Sequence, residues 1–171
     1  MEKGYIHIYT GNGKGKTTAA LGVAVRAVCA GKKVFFGQFV KGMKYNEVKC
    51  EDYLPNIKFK QFGRRCFINE GPEKEDIDIA INGLKEIEAI ILSKEYDVIV
   101  MDEITIALYF QLLNIEDVLK VLKNKPYETE LILTGRYAQK ELLDIADLIT
   151  EMKEVKHYYY DGVLSRDGID K

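Results

Sequence analysis

Cysteine and histidine are scarce and tryptophan is absent: the chain holds three Cys, two His and no Trp. Cys29, Cys50 and Cys66 are an odd number without C-x-x-C spacing, which supports neither a disulfide framework nor a zinc knuckle. His7 and His157 are too far apart in sequence to suggest a shared metal centre, and His7, inside an apolar run, reads as a core or face residue. No apolar run approaches the roughly 20 residues that cross a bilayer, and MEKGYIHIYT enters a strand pattern without room for a signal peptide. The expectation is a cytoplasmic protein with no membrane partner. Neither sign of charge dominates: 25 Lys and Arg stand against 27 Asp and Glu, so no general field draws the chain onto nucleic acid. Linkers, repeats and low-complexity stretches are also missing, and the 171 residues read as one domain over 1–171.

What is present is an alternation of strand and helix patterns. Tyr5 to Tyr9 is a β-branched and aromatic run that meets three glycines within five positions. TTAALGVAVRAVCA, residues 17–30, is small, apolar and helix-tolerant, and Gly31 with Lys32 and Lys33 supplies a stop. Val34 to Val40 is continuously apolar, as in a parallel strand covered on both faces, and completes a βαβ unit. Residues 41–72 carry little periodicity beyond an alternating strand at Ile57 to Phe62, and read as a long functional excursion. Ile77, Ala80, Ile81, Leu84, Ile87 and Ile91 follow helical spacing, which predicts an amphipathic helix over Glu73 to Lys94. A second buried strand follows at Asp97 to Met101, then helical spacing at Val118, Leu119 and Leu122, a third strand at Leu131 to Thr134, and a helix at Gln139 to Ala146. Short strands are expected around Leu148-Ile149 and over Val155 to Tyr160, with alternate tyrosines of the 158–160 run packed. The order implies an α/β sandwich with a mainly parallel sheet.

The sharpest chemical signal is T-G-N-G-K-G-K-T-T, residues 10–18, placed after a strand and opening a helix. Backbone N–H groups of such a loop converge on phosphate oxygens, and Gly11, Gly13 and Gly15 allow the close approach. Asn12, Lys14 and Thr18 belong to the same cradle, Lys16 neutralises a phosphate, and the Thr17 hydroxyl ligates Mg²⁺, with Mn²⁺ as the alternative. The strict pattern asks for Gly where this chain has Thr10. A glycine loop without function is the competing reading. DVIVMDE, residues 97–103, ends an apolar strand in two acids at the edge where α/β sheets bind ligands. Either Asp102 or Glu103 can hold the metal, directly or through water, while an acid there can also simply cap a helix.

GNGKGKTTAALG with Arg26, VFFGQFVKG, VMDEITIAL, LILTGR and EVKHYYYDGVLSRDGID together resemble the ATP:corrinoid adenosyltransferase family, in order and over nearly the whole chain. The resemblance implies a RecA-like P-loop domain. It also implies transfer of the 5′-deoxyadenosyl group from ATP to the cobalt(I) of a reduced corrinoid, with triphosphate leaving. Cobalt(I) is then the nucleophile, and the loop must stabilise charge on the departing triphosphate. Two lysines, Lys14 and Lys16, suit that demand. Family members bind ATP with the phosphate chain reversed, and Thr10 is consistent with a modified cradle.

By position, the resemblance assigns residues 11–18 to the triphosphate, Lys16 and Glu103 to catalysis, and Thr17 with Glu103 to the metal. Arg26 and Arg136 become ATP contacts, with a solvated helix charge as the alternative for Arg26. Some relatives use a Phe and a Trp after the second strand to displace the lower cobalt ligand. With no Trp in this chain, Phe67 is the nearest counterpart, and Phe62 or Ile68 the next. A homodimer and a flavoprotein reductant such as flavodoxin are further implications. The rivals are a small-molecule or nucleoside kinase, which would yield ADP, and a nucleotide-dependent switch protein without chemistry.

Overall fold

The computed structural model describes residues 3–43, 45–64 and 71–170. Six strands form one sheet: β1 (Ile6–Thr10), β2 (Val34–Phe39), β3 (Ile57–Phe62), β4 (Val98–Asp102), β5 (Glu130–Thr134) and β6 (Leu148–Glu151). Their order is β3-β2-β4-β5-β1-β6, and every neighbouring pair is parallel. All carboxyl ends therefore point to one edge, where the loops after the strands meet. Helices α1 (Lys16–Cys29), α2 (Cys50–Tyr53), α3 (Lys74–Ser93), α4 (Ile104–Tyr109), α5 (Ile115–Lys123) and α6 (Lys140–Ile145) connect them.

The period-two alternation of the strands sorts their side chains into two cores. On one face, Tyr9, Val34, Phe36, Ile57, Phe59, Val98, Val100 and Ile132 meet Ala20, Ala24 and Ala27 of α1. These alanines lie three and four residues apart on one helix face, and their small size lets α1 sit close to the sheet. On the other face, Ile8, Phe35, Phe39, Ile99, Met101 and Leu133 meet residues of α3, α4, α5 and α6. Among the described residues no helix is long and apolar enough to cross a membrane.

Helix α3 shows how closely pattern and structure agree. Its N-cap is Glu73, tied to Asp76 in a capping box, and its C-cap is Lys94 in the left-handed region. Gly83 is required by packing, because a Cβ there would lie 2.6 Å from Phe62 Cγ. Phe62 is thus a core residue, only 5% exposed, and is not available to a substrate.

Two expectations are corrected. The strand expected over Val155 to Tyr160 is absent: a 3₁₀ turn occupies Tyr158–Asp161, capped by His157 Nδ1, which accepts from the Tyr159 N–H at 3.0 Å. Gly162, with φ +82°, closes this turn, and Tyr159 and Tyr160 stand exposed rather than packed. The excursion after β2 holds, besides the expected strand β3, a 3₁₀ turn over Asn46–Lys49 that runs into α2. Helix α4 had no signal in the sequence; its one and a half turns are too short to display a period.

Candidate active site

The glycine loop joins β1 to α1 at the carboxyl edge. Gly13 N–H donates to Met152 O at 2.7 Å, and Met152 N–H donates to Thr10 O at 2.8 Å, so the chain leaving β6 holds the loop from behind. A Cβ on Gly11 would lie 2.4 Å from Met152 O, and one on Gly13 2.7 Å from the same atom. The first two glycines are thus demanded by this close backbone approach. Gly15 has more room and serves differently, its φ of +114° turning the chain into α1 as the N-cap. The Lys16 side chain folds back over the loop and its Nζ donates to Gly13 O at 2.8 Å. Burial lowers the pKa of the Lys16 ammonium, against the opposing charge of Glu103.

Asp102, fully buried, is the hub behind the loop. Its Oδ1 accepts from the Thr17 hydroxyl at 2.8 Å and from the Thr134 hydroxyl at 2.6 Å. Its Oδ2 accepts from Lys41 Nζ at 2.8 Å and Gln38 Nε2 at 3.2 Å. Four donors from α1, β5, β2 and the loop after β2 satisfy this carboxylate, which is how a buried charge is tolerated. Lys41 is held charged: burial works against the ammonium, but the charge and hydrogen bond of Asp102, with Glu103 and Glu47, raise its pKa on balance.

Glu103 follows Asp102 with φ +59° and occupies the N-cap position of α4 without making a side-chain cap bond. Its N–H is taken by the Thr134 hydroxyl at 3.0 Å. Burial, then the neighbouring Asp102 charge, raises the pKa of its carboxyl, while Lys41, Lys16 and Arg136 oppose the shift. Gly135 makes room here, since a Cβ on it would sit 2.2 Å from Thr105 Oγ1 and 3.3 Å from Glu103 Oε2.

These groups line one cavity of about 490 Å³, whose wall includes Lys14, Lys16, Thr17, Lys41, Glu103 and Arg136. The tail closes its far side. Asp170 pairs with Lys14 and accepts from the Tyr158 hydroxyl, and its Oδ2 accepts from Arg166 N at 3.0 Å and Arg166 Nε at 3.1 Å. Asn46 Nδ2 donates to Asp167 Oδ1 at 2.6 Å, tying the tail to the excursion after β2. Tyr137 and Tyr109 are ring neighbours at 4.4 Å beside Arg136, both about half exposed.

The structure therefore gathers Gly11 to Thr18, Asp102, Glu103 and Arg136 at one edge. Arg26 is not brought there: it is exposed in the last turn of α1, ten residues and about 15 Å along the axis from Lys16. A cation at that end complements the helix dipole. Phe67 and Ile68 lie outside the described residues. Asp102 is saturated by its donors, whereas Thr17 and Glu103 reach the cavity wall. Thr17 Oγ1 and one carboxylate fit an oxygen-seeking Mg²⁺ or Mn²⁺ only if substrate phosphates and water complete the shell. Among the described residues no group of three or more His, Cys, Asp or Glu could hold an ion alone. Sequence reasoning missed Lys41, Thr134 and Asp170. Lys41 had a usable signal, since it directly follows an apolar strand at the ligand edge.

Comparison with known proteins agrees with this picture. The sequence model of the family described as ATP:corrinoid adenosyltransferase BtuR/CobO/CobP matches residues 2–170. A corrinoid adenosyltransferase of Escherichia coli (strain K12) is 32% identical over 169 residues, covering 99% of this chain and 86% of that protein. The corrinoid adenosyltransferase CobA of Salmonella typhimurium (strain LT2) is 33% identical over the same length, with the same coverage of 99% and 86%. A corrinoid adenosyltransferase of a Sinorhizobium species is 32% identical over 173 residues, covering 99% of this chain and 81% of its own.

Proposed function

The chain belongs to the ATP:corrinoid adenosyltransferase family, and on that basis we propose that it transfers the 5′-deoxyadenosyl group of ATP to the cobalt(I) of a corrinoid. In this reaction the cobalt electron pair forms the Co–C5′ bond, the C5′–O5′ bond breaks, and its electrons leave on triphosphate. The observation that carries the reading is the shared cavity of Lys14, Lys16, Thr17, Glu103 and Arg136, which has cations and backbone donors for a triphosphate. It also needs no protein nucleophile.

The arrangement of the cavity supports the following assignments. Residues 11–18 cradle the triphosphate, and Lys16 and Arg136 stabilise the charge that grows as it departs. Lys14 joins them once Asp170 releases it. Thr17 and Glu103 hold Mg²⁺ or Mn²⁺, which supplies charge neutralisation to the triphosphate. Asp102 acts behind Thr17, fixing its hydroxyl by accepting its hydrogen bond. A RecA-like arrangement is supported by the placement of β5 between the strand that feeds the glycine loop and the strand that ends in the acids. Phe67 is taken, on the family resemblance alone, as the side chain that keeps water and the lower ligand off cobalt. A flavoprotein such as flavodoxin as electron donor, a homodimeric state and a cytoplasmic location complete the reading, with residues 1–171 acting as a single domain.

The test is product identity. Protein, Mg²⁺, ATP and chemically reduced corrinoid are incubated without oxygen, and the phosphate product is identified. Triphosphate together with an alkylated corrinoid is expected; ADP would replace this reading with a kinase or ATPase.

A further inference from the structure

The segment that delivers Lys41 is strained. Val40, a β-branched residue, has φ +63°, a conformation that only strong surrounding constraints maintain. The constraint is visible: a Cβ on Gly42 would lie 2.2 Å from Arg64 O, and one on Gly63 2.6 Å from Val40 C, so two backbones cross at closest approach. This crossing turns the chain back over the sheet edge. Lys41 Nζ is thereby set 2.8 Å from Asp102 Oδ2, 3.3 Å from Thr17 Oγ1 and 3.9 Å from Glu47 Oε1, and 5.5 Å from the Tyr45 ring centroid.

Resting on the reading of the cavity as a metal–triphosphate site, we infer that Lys41 is a resident counter-ion that keeps bare divalent cations off Thr17 and yields only when metal arrives with triphosphate. The Thr17 proton is committed to Asp102, and the oxygen's lone pairs face Lys41 and the cavity. A divalent ion on that oxygen would meet the mostly buried ammonium as a like charge at contact range. With triphosphate present the balance reverses. The anion offsets both cations, and Lys41, which already lines the cavity, has a flexible four-carbon stem and new oxygen partners to turn to. Lys41 is thus a positioning residue that makes metal and nucleotide bind together.

Equilibrium dialysis of the full chain with Mn²⁺ alone, and with Mn²⁺ plus inorganic tripolyphosphate, reads this directly. Lys41→Met removes the charge and keeps the stem; Lys41→Gln also keeps a donor toward Asp102 and serves if the methionine variant does not fold, as judged by circular dichroism. The neutral variants should take up Mn²⁺ alone at least ten-fold more tightly than wild type. A merely structural role would loosen the site and weaken uptake instead. Affinity for Mn²⁺ alone that is unchanged or weaker in the folded neutral variant overturns the inference. Failure of the wild-type chain to retain Mn²⁺ with tripolyphosphate overturns the parent reading and the inference with it, a result distinguishable from the first.

Discussion

The Thr17 hydroxyl and the Asp102 carboxylate, 85 residues apart in sequence, are joined by a 2.8 Å hydrogen bond. The bond ties the first turn of α1 to the end of β4, although β5 separates that strand from β1. Thr134, at the end of β5, donates to the same Asp102 oxygen at 2.6 Å and so fills the gap. Three elements are locked at one atom, and the Thr17 oxygen faces Lys41 and the cavity in a fixed direction. A site organised this way should lose function when single groups are removed while its scaffold survives.

Lys16→Ala should abolish turnover and leave the fold intact. Among the described residues the side chain hydrogen-bonds only to Gly13 O, whereas the loop backbone is fastened independently by the Gly13 and Met152 hydrogen bonds. Losing one charge aimed at a leaving triphosphate costs on the order of 100-fold or more in rate. Triphosphate release with far-UV circular dichroism measures both halves; near wild-type turnover would remove the loop from the mechanism.

Glu103→Gln separates a functional acid from a helix cap. Activity should fall and recover in part as Mg²⁺ is raised, because the neutral amide is a poorer ligand. Stability should move the other way. Burial raises the Glu103 pKa in the folded state, so the folded chain binds more protons than the unfolded one and stability falls as pH rises through that window. Glutamine removes this loss, and the metal-free variant should melt no lower than wild type at pH 7. Unchanged activity with a lowered melting temperature would return Glu103 to a capping role.

Much of this was legible in the sequence. The order of strands and helices was readable because long buried strands are continuously apolar and α3 is long enough to show its period, with a capping acid at its start. The loop and the acids were readable because a phosphate cradle needs glycines and a cation at fixed spacing. What escaped has a common cause. Lys41, Thr134 and Asp170 converge through the tertiary fold, from the loop after β2, from β5 and from the tail; only Lys41 carried a local mark, its place just after an apolar strand, and nothing local marks a threonine or an acid whose partner is 30 or more residues away. The tyrosine run was misread because its alternation-free β propensity ignored Gly162, whose positive φ closes a turn. At Gly11 and Gly13 the loop pattern gave no sign of the added packing demand from the Met152 backbone, which only the sheet order brings near.

Asp76→Asn gives a pH-dependent loss of stability. Arg64 clamps Asp76 with Nε at 2.6 Å and a terminal nitrogen at 2.7 Å, and the Glu73 N–H adds a third bond at 2.9 Å. The Arg64 hydrogen bonds, followed by that of Glu73, outweigh burial and hold the Asp76 carboxyl below its ordinary pKa. With the folded pKa depressed, the stabilisation is present above the unfolded value of about 3.9 and is lost as pH falls through the folded one. The variant should lose about 1–3 kcal/mol at pH 7. Calorimetry from pH 7 down to pH 3 should show the gap to wild type narrowing; a gap independent of pH would mean that only the neutral cap geometry mattered.

Glycine-to-alanine substitutions at Gly13 and Gly22 should have opposite signs. At Gly13 the new methyl would lie 2.7 Å from Met152 O and 2.8 Å from the Lys153 carbonyl carbon, both backbone atoms that cannot rotate away. Either the loop lifts from the chain after β6 or that chain shifts, and in both cases the Gly13 N–H bond to Met152 O is strained and the cradle with it. Gly13→Ala should therefore lower the melting temperature and weaken tripolyphosphate binding together. Gly22 lies in the middle of α1 with nothing within 4 Å of its added Cβ. There alanine only restricts the unfolded chain and favours the helix, so Gly22→Ala should stabilise by about 0.5–1 kcal/mol. Its tripolyphosphate affinity should not change, because the added Cβ meets nothing within 4 Å and Gly22 lies a full turn beyond Thr18, the last residue of the cradle. Thermal melts and dialysis on the two variants decide the matter. A Gly13→Ala protein that binds and melts like wild type would show that the loop is not held by Met152, and the account of why glycine stands at that position would fall.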